Sequence, residues 1–175
     1  MWIIGLGNPE KQYAKTRHNI GWMFVDSVQS IKAGNFSPWT ENKKFRAEMS
    51  AGILNGQPIT LVKPLTFMNE SGVSVASICH FYKIEPKDIL VAHDDKDLLL
   101  GDVRLESNRN HAGHNGVRSI IDHLKTKDFP RLRLGIATDK LKTQGTVNFV
   151  LGKFGIFERG AVKAMLEKGK ALVIK

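Results

Sequence analysis

The stretch WIIGLGNPE at residues 2–10 decides how this chain begins to fold. It opens with a short apolar run that ends at Gly7 and Pro9, which predicts a buried strand followed by a loop. Asn8 comes directly after the predicted strand. Because ligands of open α/β sheets bind beyond the carboxyl ends of the strands, this position favours Asn8 as part of a functional site.

The same segment invites comparison with the dinucleotide-binding fingerprint G-x-G-x-x-G. That fingerprint needs a third glycine at position 10, where this chain has Glu10, and a helix that opens directly after the loop. Pro9 and a polar run stand in the place of that helix. The sequence therefore argues against a dinucleotide site.

Strand-like and helix-like segments alternate along the rest of the chain. Apolar runs and alternating patterns predict strands at residues 2–6, 45–53, 59–63, 88–94, 102–107 and 131–137, with a hairpin turn at 55–58. Helical periodicity predicts helices at residues 20–31, 71–84, 115–125 and 157–174. No linker or repeat interrupts this order, so we expect one domain over residues 1–175. Its predicted architecture is an α/β sandwich with a mixed, largely parallel sheet flanked by helices.

The composition is typical of a globular protein, with 42% apolar residues. The sequence contains no apolar run near the roughly 20 residues of a membrane span, and its start lacks the basic region of a signal peptide. The single cysteine, Cys79, cannot form an intramolecular disulfide and lies at helical spacing with apolar residues, which indicates a core position. These features predict a cytoplasmic protein with no membrane association.

The net charge of +9 is unevenly distributed. Residues 1–124 hold 14 Lys and Arg against 13 Asp and Glu, whereas residues 125–175 hold 12 against 4. A basic surface favours a polyanionic partner, because phosphates gain Coulomb energy and release counterions there. Charge alone leaves open the alternative of a solvated basic face with no specific partner.

His18, in the segment TRHN, is the candidate general base. Histidine titrates near neutral pH, and a histidine base works better when a carboxylate holds one of its ring nitrogens. Asp94 stands at the end of a predicted strand and could serve as that carboxylate, with Asp95 and Asp97 as alternatives.

Three side-chain amides, those of Asn8, Asn69 and Asn115, accompany the histidine. Amides donate hydrogen bonds to a developing oxyanion and bind peptide backbone without reading side chains. A histidine base with such amides predicts a hydrolytic site built around water, with no metal and no covalent nucleophile.

A zinc site is the alternative for the other histidines. His111 and His114 lie in the segment HAGH, and His93 lies nearby in sequence. The segment lies in a glycine-containing loop and lacks the H-E-x-x-H pattern, so the sequence favours hydrogen-bonded loop histidines.

Seven segments, taken together and in order, resemble bacterial-type peptidyl-tRNA hydrolases. They are WIIGLGNP (2–9), TRHNIG (16–21), KPLTFMNESG (63–72), HDDKDL (93–98), GHNGVRSI (113–120), RLRLGI (131–136) and FVLGKF (149–154). The resemblance spans nearly the whole chain. It implies a monomeric single-domain α/β enzyme without a cofactor, which hydrolyses the ester joining a peptide to the terminal ribose of tRNA and so recycles tRNA.

The resemblance also implies roles for individual residues. His18 resembles the catalytic base, Asp94 its orienting carboxylate, and Asn69 the amide that holds the attacking water or the ester carbonyl. The implied substrate-binding residues are Asn8, Tyr13, Phe67, Asn69 and Asn115. The implied contacts to tRNA phosphates are Arg133, Arg104, Arg109, Lys140 and Lys142.

The chain departs from the family at several positions. Glu10 stands where the family usually has glycine, and SNRNHA (107–112) replaces a glycine-rich stretch. Glu106 stands where a basic residue is usual, so it should repel phosphate unless it pairs with a neighbouring arginine; Arg109 could compensate. The final helix is expected to end early, at Lys175.

Two other classes of function stay open at this point. A non-catalytic RNA-binding relative could keep the fold, but the retention of His18 with Asp94 argues against it. A hydrolase of another small ester could keep the site, but the basic residues of 125–175 argue against that.

Overall fold

The apolar run at the start of the chain forms strand β1 (Trp2–Gly5), which lies inside a seven-stranded sheet. The other strands are β2 (Thr40–Asn42), β3 (Ala47–Leu54), β4 (Gln57–Pro64), β5 (Ile89–Leu99), β6 (Val103–Glu106) and β7 (Arg131–Ala137). The computed structural model describes residues 1–174. Lys175, the last residue of the predicted domain and of its final helix, lies outside the described residues.

The strands follow the order β2-β3-β4-β1-β5-β7-β6 across the sheet. The four neighbours β4, β1, β5 and β7 pair in parallel, whereas β2–β3, β3–β4 and β6–β7 pair antiparallel. Only β3 and β6 therefore run against the other five strands. The prediction of a mixed, largely parallel sheet in one α/β domain is confirmed.

Within residues 1–174, six α-helices accompany the sheet. They are α1 (Ile20–Gln29), α2 (Ser71–Tyr82), α3 (Asn115–Leu124), α4 (Lys140–Gln144), α5 (Thr146–Leu151) and α6 (Arg159–Val173). One apolar core contains residues of α1, α5 and α6, and a second contains residues of α2 and α3. The sheet contributes to both cores, so it separates two helical layers. Within residues 1–174, no helix is long and apolar enough to cross a membrane.

The sequence does not predict β2, α4 or α5. β2 is a three-residue edge strand of sequence TEN and has no apolar alternation. Helices α4 and α5 have five and six residues, too few to show helical periodicity, and they meet at Gly145 with a φ of 71°. β5 also continues beyond Asp94, because it pairs with β7 again after a register shift.

A close approach of α1 to the sheet places the middle of β5 beside the start of α1. A Cβ atom added to Gly21 would lie 2.4 Å from the carbonyl oxygen of Ala92 and 2.5 Å from the backbone nitrogen of Leu6. A glycine is therefore required where α1 passes β1 and β5. The short 3-10 helix Arg17–Asn19, which precedes α1, is brought by this packing to the middle of β5, beside Asp94.

Candidate active site

A cleft of about 480 Å³ opens at the edge of the sheet where β1 and β4 end. Its lining comprises Asn8 after β1, His18, Phe67, Met68 and Asn69 after β4, His93 to Lys96 on β5, Arg109 to Asn115 leading into α3, Arg131 and Arg133 on β7, and Thr146, Val147, Val150 and Leu151 of α5. The residues after the strands meet here because the carboxyl ends of parallel strands lie at one edge of a sheet.

His18 and Asp94 are in direct contact in this cleft. Nδ1 of His18 lies 2.7 Å from Oδ1 of Asp94. A carboxylate can only accept hydrogen bonds, so Nδ1–H of His18 is the donor. Nε2 of His18 has no hydrogen-bond partner among residues 1–174 and is the nitrogen that can accept a proton.

The other two carboxylates of the segment HDDKDL face different partners. Asp95 accepts from Nε of Arg133 at 2.7 Å and from the backbone N–H of Asp97 at 2.8 Å. Asp97 is exposed and pairs with Lys96 at 3.1 Å. Of the three candidates that the sequence leaves open, the structure brings Asp94 to His18.

His114 is a second partner of Asp94 that the sequence does not predict. Its Nε2 lies 2.9 Å from the same Oδ1 of Asp94. Its Nδ1 accepts the backbone N–H groups of Gly116 at 3.1 Å and Val117 at 3.3 Å, and so caps the start of α3. The proton of this imidazole must then be on Nε2, which donates to Asp94. The signal in the sequence that could have indicated the capping role of His114 is its position just before a predicted helix start.

The electrostatics of the pair suit a general base. Burial alone would raise the pKa of Asp94, but the two imidazoles outweigh burial and hold this pKa well below its usual range. Burial alone would lower the pKa of His18, but the charge and the hydrogen bond of Asp94 outweigh burial and raise this pKa above 6.5. The pair therefore consists of an ionised carboxylate and a strengthened base.

The side chain of His93 holds the backbone of Asp94 in place. Nδ1–H of His93 donates to the carbonyl oxygen of Asp94 at 2.7 Å, and its ring packs against the ring of His114 with centroids 4.8 Å apart. Burial, and after it the neighbouring His114, lower the pKa of His93 to about 3. His93 is therefore a neutral, buried residue at neutral pH.

The zinc alternative can be compared with this geometry. Potential ligand atoms of His18, Asp94 and His114 lie within 4.8 Å of one another. Nδ1 of His18 and Nε2 of His114, however, already donate to the same oxygen, Oδ1 of Asp94, at hydrogen-bond distances. His111 instead accepts the backbone N–H of Gly113 at 3.0 Å. Hydrogen bonding alone thus accounts for the arrangement.

Asn8 is held rigidly beside the base. Its side-chain oxygen accepts the backbone N–H of Met68 at 2.8 Å, which leaves the amide NH₂ group free to donate. Its backbone N–H donates to the side-chain oxygen of Asn19 at 3.0 Å, and its carbonyl accepts from Asn19 Nδ2 at 2.9 Å. Asn19 follows His18 directly, so these bonds tie the Asn8 loop to the base.

The structure places three of the other predicted substrate-binding residues in the cleft and one outside its lining. Phe67, Asn69 and Asn115 line the cleft with exposed side chains. The two amides make no side-chain hydrogen bond among residues 1–174, so they are available to a ligand. Tyr13 is half-buried and lies outside the cleft lining.

Arg133, an expected phosphate contact, is buried and paired. Its side chain is 3% exposed, and it donates to Asp95 at 2.7 Å and to Glu106 at 2.9 Å. A guanidinium between two carboxylates is not a free phosphate contact, so the geometry argues against this expectation. Glu106 also lies 3.6 Å from Arg109. Because its charge is paired with neighbouring arginines, we do not expect Glu106 to repel phosphate.

The remaining expected phosphate contacts lie nearer to solvent. Arg109 lines the cleft, whereas Arg104, Lys140 and Lys142 are exposed outside it. Arg131, which the sequence does not single out, is fully buried and donates to the carbonyl oxygens of Arg109 and Asn110. It holds the loop that carries Arg109.

This α/β domain, with a carboxylate–histidine pair and free amides in one cleft, defines a hydrolase of the general-base class. The chain matches the family model described as peptidyl-tRNA hydrolase over residues 2–175. It is 43% identical over 165 residues to the peptidyl-tRNA hydrolase of Synechocystis sp., covering 94% of this chain and 83% of that protein. It is 44% identical over 171 residues to that of Coxiella burnetii, covering 98% and 87%.

The crystal structure of peptidyl-tRNA hydrolase from Acinetobacter baumannii is similar with a TM-score of 0.84 at 37% identity, covering 98% of this chain and 87% of that chain. The chain therefore belongs to the peptidyl-tRNA hydrolase family. A purine nucleoside phosphorylase from Toxoplasma gondii, with a TM-score of 0.52 and 11% identity, shares the fold alone.

Proposed function

We propose that this chain hydrolyses the ester bond between peptide and tRNA in peptidyl-tRNA. The products are free tRNA, which returns to translation, and a free peptide. The observation that carries this proposal is the contact of His18 with Asp94 in a cleft beside free amides, in a member of this family.

In the proposed reaction, Nε2 of His18 takes a proton from water while the water oxygen attacks the ester carbonyl carbon. The charge of Asp94 stabilises the imidazolium that forms, and its hydrogen bond keeps the other proton on Nδ1. His114 holds the same oxygen of Asp94 in place. The imidazolium then returns its proton to the departing ribose oxygen, and the ester C–O bond breaks.

The amides divide the work of substrate binding in this proposal. Asn69 holds the attacking water or the ester carbonyl, where an amide N–H can stabilise the developing oxyanion. The free NH₂ of Asn8 and the side chain of Asn115 bind the peptide and the 3′ end, and Phe67 packs against this end. A substrate contact by Tyr13 stays a prediction, since this residue lies outside the cleft lining.

Binding of tRNA is proposed to depend on exposed cations near the cleft. Arg104, Arg109, Lys140 and Lys142 are the proposed phosphate contacts, because solvent-facing cations release counterions from a polyanion. Arg133 is reassigned to holding Asp95 and Glu106 in place.

The chemical step is proposed to need no metal, since His18 can activate water itself. We also propose that residues 1–175 act as one monomeric catalytic unit in the cytoplasm. The single cysteine fits a reducing compartment.

The test is release of free tRNA from an N-blocked aminoacyl-tRNA by the purified protein. We expect release that persists after chelation in a buffer that keeps tRNA folded. A folded protein that releases no tRNA would contradict the proposed function. Activity lost on chelation and restored specifically by zinc would favour the zinc alternative, and gel filtration would test the monomer.

A further inference from the structure

Arg17, the residue before His18, is a buried cation with several partners. Its side chain is 2% exposed, and Nη2 lies 2.8 Å from both carboxylate oxygens of Glu158. Nη1 donates to the carbonyl oxygen of Lys153 at 3.0 Å. The two terminal nitrogens of the guanidinium thus hold two different groups of the same segment, the carboxylate of Glu158 and the backbone of Lys153.

Further contacts of the Arg17 side chain and of its backbone N–H lead to the same stretch of chain. Its guanidinium carbon lies 4.4 Å from the ring centroid of Phe149 and 5.2 Å from that of Phe154. Its backbone N–H donates to the carbonyl oxygen of Gly152 at 3.0 Å. Thr16 adds an isolated β-bridge to Lys153. Residues 149–158 are thus attached to the chain just before the catalytic histidine.

This attached segment follows directly on a wall of the cleft. Val147, Val150 and Leu151 of α5 line the cleft, and Phe149 of the same helix contacts the guanidinium of Arg17. Val147 is 68% exposed and Leu151 37%, so these two side chains face open space, whereas Val150 also packs against the core. The wall is available to a substrate.

Glu158 is held ionised at the other end of the pair. Burial alone would raise its pKa, but the backbone N–H of Gly155 and the guanidinium of Arg17 outweigh burial and lower it. Lys140 adds a weaker contact at 3.8 Å. The pair is therefore a stable contact between two charges at neutral pH.

We propose that the Arg17–Glu158 ion pair is a positioning device that fixes α5 as the apolar wall of the substrate cleft. The proposal rests on the proposed function. His18 itself is held independently by Asp94 and by the bonds between Asn19 and the Asn8 loop. Loss of the pair should therefore weaken the hold on substrate and leave the chemical step intact.

The variant Glu158→Gln tests this, because glutamine keeps the shape of the side chain but removes its charge. We expect KM for N-blocked aminoacyl-tRNA to rise about tenfold, with kcat changed less than about twofold, as loss of uniform binding predicts. The acid limb of the pH profile should keep its midpoint. Backbone amides of residues 146–158 should exchange hydrogen faster than in the wild type.

Glu167→Gln is the matched control, because Glu167 forms an exposed ion pair with Lys170 on α6. It should leave KM and hydrogen exchange unchanged. Arg17→Lys is the second variant: it keeps the charge, but one ammonium group replaces the two nitrogens that contact Glu158 and the carbonyl oxygen of Lys153. Its KM should therefore rise, but by less than that of Glu158→Gln. It decides the question if Glu158→Gln does not fold.

A folded variant with unchanged KM and unchanged exchange would overturn the proposal. So would a fall in kcat with KM unchanged, because the pair would then act on His18. Wild-type hydrolysis is measured first. Its absence would contradict the proposed function, whereas hydrogen exchange reports on the ion pair without any activity.

Discussion

Asp94 accepts hydrogen bonds from His18 and His114 through the same oxygen, at 2.7 and 2.9 Å. Two donors on one oxygen hold the carboxylate in a single orientation, and the carboxylate in turn fixes the tautomer of His18. The contacts among these three side chains therefore determine how His18 can act as a base. The loop of His18 follows from the sequence, whereas Asp94, predicted at a strand end, lies within β5, which continues to Leu99. The contact of the two residues depends on packing between segments 76 residues apart.

The raised pKa of His18 predicts a pH dependence. The base must be neutral to take a proton, so kcat/KM should rise with pH and reach half its plateau above pH 6.5. Asp94→Asn removes the charge that raises this pKa, so the midpoint should move to lower pH. The plateau should also fall, but less than in His18→Ala.

Asp97→Asn is the matched control for Asp94→Asn, because Asp97 is exposed and pairs only with Lys96 in this region. It should leave the pH profile unchanged. A silent Asp94→Asn together with a damaging Asp97→Asn or Asp95→Asn would show that the carboxylate was misassigned.

Glu10 offers a separate test at the residue scale. Its φ of 79° and ψ of 140° fall in a region that favours glycine. Such strain costs about 1–3 kcal/mol, partly offset by the entropy that glycine adds to the unfolded chain. Glu10→Gly should therefore raise the free energy of unfolding by about 1 kcal/mol in denaturant titrations.

Lys11→Gly is the control for Glu10→Gly, since Lys11 begins a short 3-10 helix and needs no glycine. It should lower stability slightly. An unchanged or lower stability of Glu10→Gly would mean that the hydrogen bond between Gln12 and Glu10, 2.7 Å long, outweighs the backbone strain.

At the scale of elements, the strength of the apolar pattern decides what can be predicted. The four long helices and the buried strands carry periodic apolar residues and are predicted. β2, α4 and α5 are too short or too polar, so tertiary contacts alone determine them. The loop before α3 is similar: Asn108 and Ala112 have positive φ where the family has a glycine-rich stretch, and no pattern of side chains indicates this.

The start of α3 predicts two separable effects at His114. His114→Ala should lower stability by about 1 kcal/mol through loss of the helix cap, and should also lower activity through loss of the contact to Asp94. His114→Asn should restore the cap but not the contact. Thermal unfolding and hydrolysis measured on both variants would separate the two roles.

The critical result for that pair of variants is the activity of His114→Asn. A stable and fully active asparagine variant would contradict a role for His114 in holding Asp94. A variant that recovers stability but remains slow would support this role.

At the scale of the whole molecule, the charge of residues 125–175 indicates a polyanionic partner, but it does not show which cations are free. Arg133 matches the family in sequence and is nevertheless enclosed by Asp95 and Glu106. Burial and pairing depend on the complete fold, so sequence alone could not separate Arg133 from exposed cations such as Lys142. The positions of Asn8 after β1 and of Asn69 after β4, in contrast, follow from the order of the elements.

The exposed cations predict the salt dependence of substrate binding. Arg104→Ala and Lys142→Ala should each raise KM and reduce the salt slope by about one phosphate contact. Lys87→Ala, just before β5 at the opposite edge of the sheet, should change neither. Arg133→Ala should instead lower the free energy of unfolding by about 3 kcal/mol, because Asp95 and Glu106 would lose their partner.

KM measured across a salt series, with unfolding measured in parallel, distinguishes these groups. If Arg104→Ala and Lys142→Ala behave like Lys87→Ala, the basic face serves solubility and not tRNA binding. If Arg133→Ala is stable and changes only KM, its reassignment is wrong.

His18 is the proposed general base of ester hydrolysis, and the variant His18→Ala tests this role most directly. Single-turnover release of tRNA from N-blocked aminoacyl-tRNA should slow by roughly 10²- to 10⁴-fold, the usual effect of losing a positioned base. Thermal stability and tRNA binding should stay close to those of the wild type. Near-normal turnover by the folded His18→Ala variant would contradict the account.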